Sequence, residues 1–396
     1  MAQAAPGGTL KTADYFVLGL AAIPAIYYVL VLYSTARFFL SQKKQQSFDS
    51  NFTPPISNLK PVRGLDLGAY ENFASFCRQD YPEYELLFCV DQDDPAAPVI
   101  EKLKKDFPDC QIRIFYGSGR DAPNDKVARL ARLSSEAKYD VFVMSDSDVY
   151  AEPDYFRTLV APLSDPKVGA TTCLYMLGEH RTFTQRLQST SMLSDFYPGI
   201  FVAKQLDGVK FALGTTIAAR RKNLEDFGGY AAIEDRPGDD LHVGRLIAEQ
   251  GYEVALLPYT IHTVADFQST REFLHKRFRW MMAMRNMRPW GHLGLIFTFG
   301  LPWSVVAFAA HPTWEVAAAY FGCYAAFRMA MTWMVGIWGM KQRGVWSMMP
   351  LIPLWDAQAF VIWVISFFRT TIRWRGIDYH FANEKFLRVA PNPGAD

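Results

Sequence analysis

The sequence carries almost no charge imbalance: 41 lysines and arginines against 40 aspartates and glutamates leave a net charge of +1 over 396 residues. That excludes a bulk attraction to nucleic acid, so no nucleic-acid partner is expected, and any basic function is local. Cysteine is scarce, at five residues, with no C-x-x-C pair. Cys77, Cys89, Cys110, Cys173 and Cys323 read as reduced thiols, mostly in apolar runs, which places the segment carrying them in a reducing compartment. His242, His262 and His275 lack a zinc-site spacing and read as structural or surface groups. "GSGRDA" from Gly117 lacks the third glycine of a dinucleotide fingerprint. There is no internal repeat, and between residues 56 and 290 no apolar stretch is long enough to cross a bilayer.

Long apolar runs lie on either side of that middle. Residues 15–33 carry no charge, and Arg37, Lys43 and Lys44 follow at once. The run is longer than a signal-peptide core, and basic residues gather on the cytoplasmic side. The N-terminus is therefore expected outside and residue 40 onward inside. Residues 293–310, 314–340 and 350–368 are three further membrane segments. Arg328 and Asp356 fall within them and must face protein, water or headgroups. Three C-terminal crossings would put Arg369, Arg373, Arg375, Lys385 and Arg388 outside, against the same charge rule. One segment is therefore expected to be re-entrant or interfacial, and 293–310, broken by Gly300 and Pro302, is the best choice. The expected organisation is an anchor at 1–40, a cytoplasmic domain at 50–290, membrane segments at 291–370 and a cytoplasmic tail at 371–396. This describes a multi-pass protein of the cytoplasmic membrane with its soluble domain facing the cytoplasm.

The middle alternates short apolar runs with helical patterns, which suggests parallel strands joined by crossover helices. Strands are expected from "ISNLKPVRG", "YELLFCV", "QIRIFYG", "YDVFVMSDSD", "KVGATTCLYM" and "KFALGTTIAAR". Helices are expected at 69–80, at 124–137 with Asn124 as cap, and in "DLHVGRLIAEQGY", stopped by Gly251. "REFLHKRFRWMMAM" is amphipathic and strongly basic.

In open α/β sheets ligands bind beyond the carboxyl ends of the strands. Three acidic clusters fall there. "VDQDDP" places Asp91, Asp93 and Asp94 after one strand; it reads either as a turn or as carboxylates that accept a nucleobase N–H. Asp146 and Asp148 follow "VFVM"; on a strand the two would point the same way, and their repulsion calls for a hard divalent cation, Mg²⁺ or Mn²⁺, shared with phosphate oxygens. Asp239 and Asp240 open a helix, either as ordinary N-terminal acids or with a carboxylate serving as general base for a hydroxyl. A basic stretch, "HKRFRW" at 275–280, reads either as a membrane-surface helix or as Arg279 binding a diphosphate with Trp280 against the acceptor.

These elements, in this order, resemble the membrane-bound inverting glycosyltransferases of GT-A fold, and more closely the ceramide glucosyltransferase family with its bacterial relatives, including hopanoid-associated glycosyltransferases. The matching stretches are "LKPVRGLD", "QDYPEYELLFCVDQDDPA", "NDKVARL", "SDSDV", "GTTIAARRKNLEDFGGY", "GDDLHVGRLIAEQGY" and "FRW", spread over residues 15–380. The resemblance implies a GT-A domain, Rossmann-like and specialised for nucleotide-diphospho-sugars, with one N-terminal and two to three C-terminal membrane helices. By resemblance, Asp91 or Asp93 holds the uracil of a UDP-sugar, Lys126 lies near the phosphates, and Asp146 and Asp148 hold the metal. Asp240 is the catalytic base with Asp239 its neighbour, and Arg279 and Trp280 end a (Q/R)-x-x-R-W signature. Lys276 stands at the first position of that signature, where it can meet phosphate only as a point charge. Asp148 stands where animal members have Gly. The implied reaction moves glucose from UDP-glucose to the primary hydroxyl of ceramide. The alternative within the class is transfer from UDP-N-acetylglucosamine to a hopanoid polyol. A processive polysaccharide synthase would need more membrane spans, and a membrane-tethered nucleotide sensor would not need the paired acids.

Overall fold

Eight strands form one mixed sheet: β1 (Ile56–Pro61), β2 (Tyr84–Val90), β3 (Gln111–Tyr116), β4 (Val141–Ser145), β5 (Val149–Tyr150), β6 (Val168–Leu177), β7 (Thr216–Arg220) and β8 (Glu253–Thr263). Their order is β3-β2-β1-β4-β7-β6-β8-β5 in this computed structural model, which describes residues 12–41, 48–49, 51–264, 269–374, 377–382 and 385–388. β1 to β4, β6 and β8 run parallel, and β7 and β5 run against them. Helices Ala69–Cys77, Ala97–Asp106 and Asp125–Glu136 make the first three crossovers. The chain builds outward from β1 to β3 and then returns to the other side of β1 with β4. That reversal opens a crevice beyond the carboxyl ends of β1 and β4, where ligands of such sheets bind.

Both faces of the sheet are covered, as a mostly parallel sheet requires. Side chains alternate accordingly along β2: Leu86, Phe88 and Val90 pack with Phe73, Phe76 and Ile100, while Leu87 and Cys89 pack with Val127, Leu130 and Leu133. The expected caps hold: Asn124 accepts from the Val127 amide at 3.4 Å, and Gly251 takes a φ of +89° just after helix Asp239–Glu249. β8 and helix Ala97–Asp106 escaped the sequence reading. "YEVALLPYTIHT" was the available signal for β8, a continuous apolar run after a helix stop.

Two compact units divide the chain, and they do not follow its linear order. Residues 41–179, 207–272 and 370 onward form the sheet unit; residues 12–40, 180–206 and 273–369 form a helical one. The sheet unit includes a second, three-stranded antiparallel sheet, Thr371–Trp374, Ile377–Ala382 and Lys385–Arg388. Lys43, Lys44 and Arg375, used in the topology reading, lie outside the described residues.

Within the helical unit, Thr12–Leu40 and Val345–Ser366 are long and apolar enough to cross a membrane. Pro289–Thr298 and Gly300–Ala310 together would make a third, bent by 55° at the break. Tyr28 explains how the break is tolerated. Its hydroxyl donates to the Thr298 carbonyl at 3.2 Å and accepts the Gly300 amide at 3.0 Å, replacing backbone bonds that the bend removes. A Cβ at Gly300 would meet that hydroxyl at 2.3 Å. The segment expected at 314–340 is helical but less apolar than the others. Trp314–Trp333 is a helix that continues into a π-helical turn, and Glu315, Arg328 and its tryptophans and tyrosines leave it short of the other two in apolarity. Arg328 is buried by pairing: its Nε lies 2.9 Å from Asp356 Oδ2, which also accepts the Tyr324 hydroxyl at 2.7 Å.

Candidate active site

β1 ends under the crevice with Lys60, a fully buried amine. It stands 3.4 Å above the Phe76 ring and donates to the Asp146 carbonyl at 3.1 Å. Burial pulls its ammonium down to about 7, while Asp146 and Asp148 pull the other way. β4 stops at Ser145, so Asp146, Ser147 and Asp148 form the turn into β5 rather than the end of a strand. This corrects the expectation that both carboxylates share a strand face. The turn is pinned from three sides: by Lys60, by the Asp146 amide donating to the Thr215 carbonyl at 3.2 Å, and by Ser147 Oγ donating to Asp66 at 2.7 Å.

Helix Asp125–Glu136 carries Lys126 in its first turn. Its Nζ lies 2.8 Å from Asp146 Oδ1, 3.1 Å from Asp239 Oδ2 and 3.3 Å from the Gly214 carbonyl. Burial alone would lower this ammonium; Asp146 and Asp239 outweigh it and hold it well above its ordinary value. One turn further on, the buried Arg129 donates to Asp91 at 2.6 Å and to Asp125 at 3.1 Å. A single helix thus links the acid at the end of β2 with the acids around Lys126. Asp93 is exposed beside Asp91, and Asp94 accepts the Gly64 and Ala96 amides at 2.7 and 2.9 Å, as an ordinary turn residue.

Asp239 and Asp240 are the first two residues of helix Asp239–Glu249, after Gly238 at φ +69°. Withdrawal from water raises the Asp240 carboxyl to about 6; Asp239 beside it adds to the rise, and Lys126 opposes it. Two glycines let this helix approach. A Cβ at Gly214 would sit 2.9 Å from Asp240 Oδ2, and one at Gly244 would sit 2.2 Å from the Phe211 carbonyl carbon. Among the described residues no three His, Cys, Asp or Glu side chains converge as a protein-only metal cage. The donor set still fits a hard cation. Asp146 already accepts a cationic partner, Lys126, and the buried Asp239 Oδ2 has that ion pair but no hydrogen bond. A divalent ion here would complete its shell with phosphate oxygens and water.

The signature residues Lys276, Arg279 and Trp280 belong to helix Thr270–Met287 of the helical unit, spaced to share a face. Lys276 Nζ is 5.4 Å from the Trp280 ring centre. Arg277, which the sequence reading passed over, lies 5.2 Å from Trp280, 4.8 Å from the Trp355 ring and 3.5 Å from Asp195. Lys60, Asp66 and Arg129 were missed as well. Their signals were a lysine inside a strand, an arginine on the apolar face of a helix, and their places in "LKPVRGLD" and "NDKVARL".

This sheet order, with acids just beyond the carboxyl ends of β2 and β4, is that of a GT-A glycosyltransferase. The fold matches the mannosyltransferase PcManGT from Pyrobaculum calidifontis, solved with GDP-Man and Mn²⁺, with a TM-score of 0.52 at 17% identity, over 87% of this chain and 99% of that one. Residues 17–387 match the model of glycosyl transferase family 21, and the chain belongs to that family. Ceramide glucosyltransferase 3 of Caenorhabditis elegans is 25% identical over 95% of this chain and 84% of its own length. Ceramide glucosyltransferase of Komagataella phaffii is 33% identical over a shorter stretch, 37% of this chain and 29% of its own.

Proposed function

We propose that the protein transfers glucose from UDP-glucose to the primary hydroxyl of ceramide, with inversion, at the cytoplasmic face of a membrane. The observation that carries the reading is the cluster around Lys126: one ammonium between Asp146 and Asp239, with Asp240 poised near neutrality beside them. The names of the relatives favour ceramide over the hopanoid polyol. Asp91 or Asp93 receives the uracil. By the family resemblance, Lys126, Lys276 and Arg279 are assigned to the diphosphate and Trp280 to the acceptor. Asp146 and Asp148 would hold Mg²⁺ or Mn²⁺, which would supply positive charge for the diphosphate.

The reaction is one in-line displacement. Asp240 takes the proton from the acceptor hydroxyl as its oxygen bonds to the anomeric carbon. The bond from that carbon to the diphosphate oxygen breaks, and UDP leaves with the electron pair. A carboxyl near 6 is ionised at neutral pH yet basic enough to accept the proton, as a general base requires. Lys126 is preorganised by its two carboxylates, so it loses little in reorganisation when charge develops; one such donor is worth about 3–4 kcal/mol. The domain reading stays as proposed: an N-terminal anchor, a cytoplasmic catalytic domain over 50–290 and membrane segments after it.

Purified protein incubated with UDP-glucose or UDP-N-acetylglucosamine, each crossed with ceramide and bacteriohopanetetrol, decides the substrates by mass spectrometry of the lipid product. Glucosylceramide is expected. A product from the hopanoid alone overturns the acceptor, and UDP binding without release in any combination points to a sensor.

A further inference from the structure

The small C-terminal sheet is not a free tail. Tyr379 is buried, and its hydroxyl donates to the Pro123 carbonyl at 3.3 Å. Lys385 Nζ lies 2.6 Å from Asp235. These two anchor points are next to the two segments that deliver the reacting groups. Pro123 precedes the cap Asn124 and the helix that carries Lys126. Asp235 lies a few residues before Gly238, Asp239 and Asp240. The two segments are also stitched to each other: Asn124 donates from its backbone to Glu234 and from its side chain to Arg236, both at 2.9 Å, and Arg120 pairs with Glu234 at 3.0 Å.

We infer that the C-terminal sheet is a clasp, with Tyr379 and Lys385 as positioning residues that hold the Lys126 helix start and the Asp239–Asp240 helix start in register. This rests on the proposed roles of Lys126 and Asp240. The physical logic is one of loops. Both segments are irregular backbone between regular elements, held by a few hydrogen bonds, so their local opening is cheap unless something outside them ties them. A sheet that touches both ties them together.

The test uses the full-length protein in detergent and four variants: Lys385→Glu, Asp235→Lys, the two combined, and Tyr379→Phe. Three quantities are read: amide exchange over 118–124 and 230–238, affinity for UDP with Mg²⁺, and kcat against KM for the transfer. Each single charge variant should speed exchange in these segments and weaken UDP binding by about two- to fivefold, the range for a half-exposed ion pair. The double variant should recover most of both, because the pair is restored with reversed sign. Tyr379→Phe should speed exchange over 118–124 and lower kcat. Unchanged exchange in the single variants, or a double variant no better than they are, overturns the clasp. Faster exchange with UDP affinity and kcat both unmoved overturns the positioning role. If the unaltered protein neither binds UDP nor turns over, the functional reading fails by itself, and exchange with charge-swap rescue still decides the clasp.

Discussion

Asp240 sets the expected pH dependence. Its carboxyl is raised to about 6, so the base is protonated below that value and turnover should fall as pH drops through it. The sign for stability is opposite. A carboxyl raised on folding favours the protonated native state, so this group's contribution is fully present below its ordinary range and is lost as pH climbs to about 6. Asp240→Asn should therefore lower kcat by about 10²–10⁴-fold while UDP binding survives, and should raise the melting temperature at pH 7.5. Near-normal turnover would show that the base is elsewhere. Gly214 tests the same carboxylate from outside. Its added Cβ would come within 2.9 Å of Oδ2, so Gly214→Ala should displace the base and lower kcat more than it raises KM for the donor, as steady-state kinetics would show.

At the scale of elements, the acid-bearing helix depends on close backbone contact. Gly244 faces Phe211 and Ala212 with no room for a methyl group, its notional Cβ falling 2.2–2.5 Å from their backbone atoms. Gly244→Ala should cost about 1–3 kcal/mol in thermal unfolding, because a packed helix cannot retreat without disturbing its neighbours. It should also lower activity beyond the loss of folded protein. In the helical unit, Asp356→Ala would strand Arg328 without its counter-charge, a loss of about 3–5 kcal/mol by thermal melting in detergent. Replacing both residues with leucine should cost less than the single change, since no lone charge stays buried.

For the whole molecule, the clasp contacts constrain topology. Tyr379 and Lys385 bond within the sheet unit, so the proposed topology keeps the described C-terminal strands on that unit's side of the membrane. Under the proposed topology the crossings between residues 273 and 369 are therefore even in number. Val345–Ser366 makes two either with the bent pair as a broken span or with Trp314–Trp333 beside a re-entrant bent pair. A cysteine reporter placed after residue 388 should be labelled by a membrane-impermeant thiol reagent only from the cytoplasmic side; labelling from outside would refute this count. The sequence reading met the same parity problem through the basic C-terminus and resolved it by making 293–310 re-entrant. The bend at 299 is compatible with that reading, and the C-terminal contacts add a constraint that no hydropathy profile contains.

Local chemistry was legible in the residues themselves. The acids fell after apolar runs, Asn124 stood as a cap, Gly251 as a stop, and charge-free stretches marked the membrane helices, because period, capping and hydropathy are written within a few neighbouring positions. Tertiary structure alone decided which of those acids meet. Lys126 joins Asp146 to Asp239, which lie about ninety residues apart in the chain, Arg129 holds Asp91, Lys60 supports the turn from beneath, and the C-terminal strands return to the large sheet. Such contacts arise from strand order and from the packing of helices on a sheet, and those are properties of the chain as a whole.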